Sequence, residues 1–311
     1  MSVARRPVGL AEGILNFGGL PKDTFEGKET KYAVLSVPYD LTASYISGMR
    51  NGPRAIIEAS THMELYDEEL KCEPYEAGIE TWPQVESTAV GPEEMIRRVR
   101  EGVSDILEAG KIPVMLGGEH SITLGLVQAL LEKHPKMSVL QLDAHADMRD
   151  SYQDTPFNHA CVARRISELC PIVQVGIRSL SVEEADFLNS EKKAGKKAKS
   201  NISTHYASEV LAGINWDKVA RELTDEICIT IDLDVFDPSI MPATGTPEPG
   251  GLGWYDVLGV LRNVISKKKV VGFDVVELCP LPGNIAPDFL SAKLVYKIMG
   301  YMNEGRGKKR R

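Results

Sequence analysis

The chain lacks the marks of a secreted or membrane protein. Its five cysteines (Cys72, Cys161, Cys170, Cys228 and Cys279) are odd in number, irregularly spaced and form no CxxC. That pattern excludes a disulfide framework and reads as reduced thiols of a cytoplasmic protein. No run of about 18 apolar residues occurs, so no segment is expected to span a membrane. The opening stretch MSVARRPVGLAEGILNFGGL has two arginines but no sustained apolar core, which argues against a signal peptide. Positive charge is in short supply as well. Lys and Arg number 36 against 44 Asp and Glu, a formal net charge of -8. A nucleic-acid partner would want a basic face, so none is expected. Two local basic runs, EKKAGKKAKS at 191–200 and the tail GRGKKRR at 305–311, are read as solvated, partly disordered segments, because like-charge blocks repel and stay hydrated.

What is present is an ordinary globular composition, 43% apolar and 26% charged over 311 residues. That length suffices for one large α/β domain. Apolar runs closed by loops alternate with amphipathic segments. KYAVLSVPYD, KIPVMLGGEH, MSVLQLDAHAD, CPIVQVGIRSL, EICITIDLDVFDP and KKVVGFDVVELCP read as strands followed by loops. GPRAIIEAS, with Pro53 in its first turn, reads as a helix. So does PEEMIRRVREGVSDILEAG, with Met95, Val99, Val103, Ile106 and Leu107 at helical spacing and Gly110 as its stop. SITLGLVQALLEKH and PDFLSAKLVYKIMGYMNE complete the clear helices, with Ser121 a candidate N-cap. Continuous apolar strands followed by helices imply a parallel sheet covered on both faces. With no composition break and no internal repeat, residues 1–311 are expected to form a single domain.

In such sheets ligands bind outside the carboxyl ends of the strands. Those ends are rich in ionisable residues here. Glu119 and His120 follow IPVML, Asp143, His145 and Asp147 follow VLQL, Asp232 and Asp234 follow ICITI, and Glu277 follows FDVV. If the chain after VLQL stays extended, Asp143, His145 and Asp147 share one face, with Ala144 and Ala146 pointing away. Carboxylates crowded this closely lose hydration and repel unless a cation neutralises them. Four carboxylates and two neutral imidazoles are balanced by two divalent ions. Such oxygen and nitrogen ligands without thiolate favour Mn2+. Two metals about 3.5–4 Å apart can activate a shared water.

GGEHSIT, DAHADMRD and DLDVFDPSIMPATGTPEPGG together resemble the signatures of the ureohydrolase family, which includes arginases and agmatinases. The likeness runs from VPYDLTASYISGMRNGPRAIIEAS to DVVELCP, nearly the whole chain. It implies an arginase-like three-layer α/β/α fold with a mostly parallel sheet of about eight strands, a trimer or hexamer, and a pair of Mn2+ ions per subunit. It further implies hydrolysis of a guanidino compound to urea and an amine. Carried over by position, one metal would take His120, Asp143, Asp147 and Asp232, and the other His145, Asp143, Asp232 and Asp234, with Asp143 and Asp232 bridging. His159, in FNHACVARR, falls where the family carries a histidine proton shuttle, a role suited to imidazole near neutral pH. Glu277 matches the glutamate that holds the guanidinium, which a carboxylate can do through parallel N–H bonds. A second role for Asp147, accepting a proton from the reacting water, is open to it. Glu119 reads as a buttress of this shell or a contact to a neighbouring loop, and Asp237 before Pro238 as a turn former or acceptor behind the ligands.

The loop MRDSYQDTPFNH departs from the arginase pattern, with Phe157 where an arginase-like asparagine would stand, and looks more like that of agmatinases. Cleavage of agmatine would yield putrescine for polyamine synthesis. Ala160 replaces the glycine common after the shuttle histidine, which leaves aminopropylagmatine, guanidinobutyrate and arginine open. Asp150 and Asp154 are the candidate far wall for an ammonium tail. Zinc deacetylases share the architecture but use one metal and fewer carboxylates. A non-catalytic paralogue would be expected to have lost ligands, and none is missing.

Overall fold

The structure, a computed structural model, describes residues 15–305 except 22 and 195–200. The expectations for 191–200 and for the basic tail therefore fall almost wholly outside the described residues. In chain order the elements are β1 Tyr32–Val37, α1 Gly52–Ser60, β2 Ile79–Thr81, α2 Pro92–Glu108, β3 Ile112–Gly117, α3 Thr123–Lys133, β4 Ser138–Leu142 and α4 Val162–Ser167. There follow β5 Ile172–Ile177, α5 Val182–Ala194, β6 Ile202–Tyr206, α6 Ala207–Leu211, α7 Trp216–Glu222, β7 Glu226–Asp232, α8 Trp254–Ile265, β8 Lys269–Val276 and α9 Ala286–Glu304.

The six apolar runs read from sequence are β1, β3, β4, β5, β7 and β8. They are buried nearly end to end because helices cover both sides. Every strand pairing is parallel, in the order β2-β1-β3-β8-β7-β4-β5-β6. The two edge strands had no clear sequence signal. β2 is three residues long, and β6 (ISTHY) is polar and mostly half-buried.

Each helix shows why it packs where it does. Met95, Ile96, Val99, Val103 and Ile106 form the buried stripe of α2, and Gly110 ends its turn at φ 74°. α2, α3, α4 and α5 cover one face of the sheet, while α1, α6, α7, α8 and α9 cover the other. This is the expected three-layer α/β/α fold. Ser121 is not an N-cap: α3 begins only at Thr123, after a short 3-10 turn, and the Ser121 hydroxyl donates to Glu119 Oε1 at 2.6 Å instead. All five cysteines are free thiols, and only Cys72 is exposed. Among the described residues no helix is long and apolar enough to cross a membrane.

Candidate metal centre and active site

The four strands that carry the candidate residues, β3, β8, β7 and β4, are consecutive neighbours at the middle of the sheet. Their carboxyl ends meet at the point where the chain order reverses. The turn out of β3 needs its glycines: a Cβ on Gly118 would lie 1.8 Å from the Tyr39 carbonyl oxygen. That close approach lets the segment 118–120 tuck beneath the loop that leaves β1.

Asp143, His145 and Asp147 do converge, but not by strand alternation. β4 ends at Leu142, and Asp147 sits in the left-handed region at φ 52°. The loop is held to β5 and its exit by Asp143 N–H to the Val175 carbonyl and Ala146 N–H to the Ser179 carbonyl, both 3.1 Å. The left-handed turn swings Asp147 to the side of His120, whereas His145 faces Asp234. Two groupings result: His120, Asp143 and Asp147, and Asp143, His145 and Asp234, each with ligand-type atoms within 4.8 Å of one another. Asp143 belongs to both. Asp232 Oδ2 approaches His120 Nδ1 to 3.3 Å, and its Oδ1 accepts the Asp234 N–H at 2.9 Å.

The residues fit a pair of cations. His120 Nδ1 is buried and has no hydrogen-bond partner. It is ringed by carboxylate oxygens of Asp143 at 3.1 Å, Asp232 at 3.3 Å and Asp147 at 3.4 Å. The other ring nitrogen, Nε2, lies 2.8 Å from Thr230 Oγ1, and Thr230 in turn hydrogen-bonds buried Asp274. A donor anchored behind the ring leaves Nδ1 with a lone pair aimed into a nest of oxygens, the usual construction of a metal-binding histidine. His145 presents Nδ1 to Asp234 Oδ2 at 2.8 Å. Gln141 Nε2 donates to Asp143 Oδ2 at 2.7 Å, and Gln174 steadies Gln141 at 2.9 Å.

The electrostatics carry the same imprint. Burial, then the Asp143 charge, pushes Asp147 up to about 7. Burial raises Asp143 and Asp232 too, with Asp234 adding to both. Burial works against a charged His145, but Asp234 outweighs it and holds the ring at about 11. Asp234 would likewise be raised by burial, yet the His145 charge draws it down to about 2. These opposed shifts follow from burying carboxylates and imidazoles in direct contact, where like charges repel and unlike charges stabilise one another.

Glu277 follows β8 in a left-handed conformation, φ 68°, with its N–H on the Gly118 carbonyl at 2.7 Å. Its Oε1 accepts the His120 N–H at 2.6 Å. Burial, reinforced by the Glu119 charge, lifts its pKa well above the carboxylate range. His159 opens a short 3-10 turn before α4. Its Nδ1 lies 3.3 Å from Thr42 Oγ1 and its Nε2 3.4 Å from Ser44 Oγ. Burial lowers it to about 4, so the ring is neutral near pH 7.

His120, His145, Asp147, His159, Asp232, Asp234 and Glu277 all line one cleft, beneath which lies fully buried Asp143. Asp150 and Asp154 do not line it. Past Met148 the chain turns outward, and the Asp150 side chain is 80% exposed in an ion pair with Arg165 at 2.7 Å. Asp154 is exposed, in a left-handed turn closed by the Tyr152–Thr155 bridge. Arg149 and Tyr152 face the cleft instead.

Sequence reasoning missed the opposite rim. Asp40 accepts Gly48 N–H at 2.9 Å and Arg50 N–H at 3.2 Å, which folds the 40–50 loop over the site. An aspartate just after an apolar strand was the available signal. Asp237 is a turn former, accepting from Ser239, Gly250 and Gly251 N–H at 3.0, 3.1 and 3.0 Å.

The profile described as Arginase family matches residues 30–300. The chain belongs to the arginase family. Within that family it is similar to an N(1)-aminopropylagmatine ureohydrolase of Synechocystis sp., 40% identical and covering 93% of this chain and 96% of the relative. An agmatinase of Pyrococcus horikoshii is 36% identical over 89% of this chain and 94% of its own. The solved agmatine ureohydrolase of Thermoplasma volcanium superposes with a TM-score of 0.79 at 32% identity, covering 94% of this chain and 95% of that one. The family membership makes the protein an agmatinase-like ureohydrolase, a hydrolase of guanidino compounds.

Proposed function

We propose that the protein hydrolyses an amine-tailed guanidine of the agmatine type to urea and an amine, at a pair of Mn2+ ions held by His120, Asp143, His145, Asp147, Asp232 and Asp234. The observation that carries this reading is the His120 imidazole. It is anchored from behind by Thr230 and directs a buried, unpartnered Nδ1 at three carboxylates. When bound, the metal pair supplies a water whose pKa is lowered enough to act as nucleophile near neutral pH. The remaining tasks fall to the protein. A guanidinium carbon is a weak electrophile because three nitrogens donate into it, so the substrate must be held in line. Glu277 is placed to accept guanidinium N–H groups, its own orientation fixed by the His120 N–H. As water oxygen bonds to the guanidinium carbon, the bond to the tail nitrogen breaks, and that nitrogen must gain a proton. His159, neutral and lining the cleft, would take up a proton that the attacking water gives up and pass it to that nitrogen.

Among amine-tailed guanidines, N(1)-aminopropylagmatine is supported by the relative at 40% identity. Agmatine is the second reading, supported by the agmatinase at 36% and the agmatine ureohydrolase structure at 32%. Asp150 and Asp154 give no support to either, since both sit away from the cleft.

The test is urea release by Mn2+-loaded protein from agmatine, N(1)-aminopropylagmatine, arginine and guanidinobutyrate at equal concentration. An amine-tailed substrate is expected to lead. Preference for arginine or guanidinobutyrate would overturn the substrate assignment and leave the metal chemistry standing. Urea from none of them, with two metals bound, would overturn the function. In the same assay His159→Phe should slow turnover on the order of 100-fold, as loss of a general acid does, with metal content unchanged.

A further inference from the structure

Glu119 is a fully buried acid that the proposed chemistry does not use, and it is joined to His159 through one hydroxyl. Thr42 comes from the loop after β1, 117 residues from His159 in sequence. Its N–H donates to Glu119 Oε2 and its hydroxyl to Glu119 Oε1, each at 2.7 Å. Ser121 Oγ donates to the same Oε1 at 2.6 Å. Glu119 thus gathers three donors.

A threonine hydroxyl has one proton and two lone pairs. With that proton committed to Glu119, Thr42 Oγ1 can only accept from its other neighbours. One is the His159 backbone N–H at 3.1 Å, and the other is ring Nδ1 at 3.3 Å. Nδ1 must then be the protonated nitrogen. Nε2 is left with its lone pair beside Ser44 Oγ, on the wall of the cleft.

We propose that Thr42 is a positioning residue that fixes His159 in the tautomer protonated at Nδ1, so that Nε2 is the nitrogen available to the reaction. This rests on the reading of His159 as the proton carrier. The logic is that of a carboxylate setting an imidazole tautomer from behind, with a hydroxyl interposed. A purely structural role for Thr42 would run through its N–H, its packing and the bond that its backbone makes to the His159 ring, all of which valine keeps.

The test compares Thr42→Val and Thr42→Ser with wild type in the metal-loaded enzyme. Thr42→Val should lower kcat on the order of tenfold, a fraction of the usual general-acid contribution, with KM and metal content unchanged, and Thr42→Ser should restore kcat. Imidazole 15N spectra of protein loaded with a diamagnetic divalent ion supply a readout independent of turnover. The His159 signals, identified by their loss in His159→Phe, should report Nδ1–H in wild type and in Thr42→Ser, and a shifted tautomer in Thr42→Val. An unchanged tautomer in Thr42→Val overturns the proposal. So does a Thr42→Ser variant as slow as Thr42→Val, which would assign the effect to the methyl group. Full turnover in His159→Phe would instead remove the proton-carrier reading, and the spectra alone would then decide the tautomer.

Discussion

His120 shows how much of a site can hang on which nitrogen of a ring faces which neighbour. Nε2 reaches Thr230, Thr230 reaches Asp274, and Nδ1 is left to the carboxylates. Removing the hydroxyl should loosen the ring without touching a ligand. Thr230→Val is expected to weaken metal binding about 10- to 100-fold, the usual effect of losing a partner behind a metal-binding histidine. Competition with a chelator of known affinity measures it, and unchanged affinity would remove Thr230 from the account. The histidine and the aspartates were legible as candidates because each follows an apolar run. Thr230 was not, because a threonine inside a strand carries no mark of what it faces. Nor were the left-handed conformations of Asp147 and Glu277. Such backbone costs of order 1–3 kcal/mol at a non-glycine residue and persists only where surrounding contacts enforce it.

Arg178, just beyond β5, works between elements. Its guanidinium donates to the carbonyls of Asp234 at 2.7 Å, Glu248 at 2.8 Å and Pro249 at 3.2 Å. It also reaches those of Gly176 and Phe236, each at 3.3 Å. The end of β5, the turn after β7 and the PATGTPEPGG loop are thereby tied at one point. Arg178 and Asp237 are what hold that loop. Arg178→Met should cost about 1.5–3 kcal/mol, the range for hydrogen bonds to a charged group. Urea unfolding would show it. Metal affinity should fall as well, because Asp234 loses its backbone anchor. A variant as stable as wild type would mean that the carbonyls find other donors. Nothing in the local sequence around Arg178 announces this role, since its partners lie up to 71 residues away.

Across the whole molecule, the last helix is tied down by a buried ion pair. Lys297 of α9, 2% exposed, donates to Asp67 Oδ1 at 3.0 Å, and the N–H groups of Glu69 and Leu70 add bonds of 3.0 and 2.9 Å to the same oxygen. Burial alone would raise the Asp67 pKa, but the Leu70 N–H, Lys297 and the Glu69 N–H outweigh it and hold it below the ordinary 3.8. A carboxylate depressed on folding contributes stability that is fully present above the unfolded value and lost as pH falls through the folded one. Wild type should therefore lose stability faster than Asp67→Asn as pH is lowered below 3.8. Urea unfolding of the two across that range measures the difference, and parallel curves would dismiss the linkage.

At that same scale the division between sequence and structure is clear. Burial on both faces forces each central strand to be apolar along its length, so the six inner strands, the fold class and the chemistry at their ends were readable locally. The edge strands were not, because a short or half-covered strand needs no continuous apolar run. The residue types at the strand ends likewise pointed to a charge-neutralising cation, since carboxylates packed this closely repel and lose hydration. Only the tertiary structure decided that β3, β8, β7 and β4 stand side by side. That order comes from crossovers between segments far apart in the chain, whose cost and reward depend on packing the helices over both faces. The same long-range packing placed Asp147 beside His120, turned Asp150 and Asp154 away from the cleft and brought Thr42 to His159. Which side chain meets which is set by contacts between elements, and no local pattern encodes them.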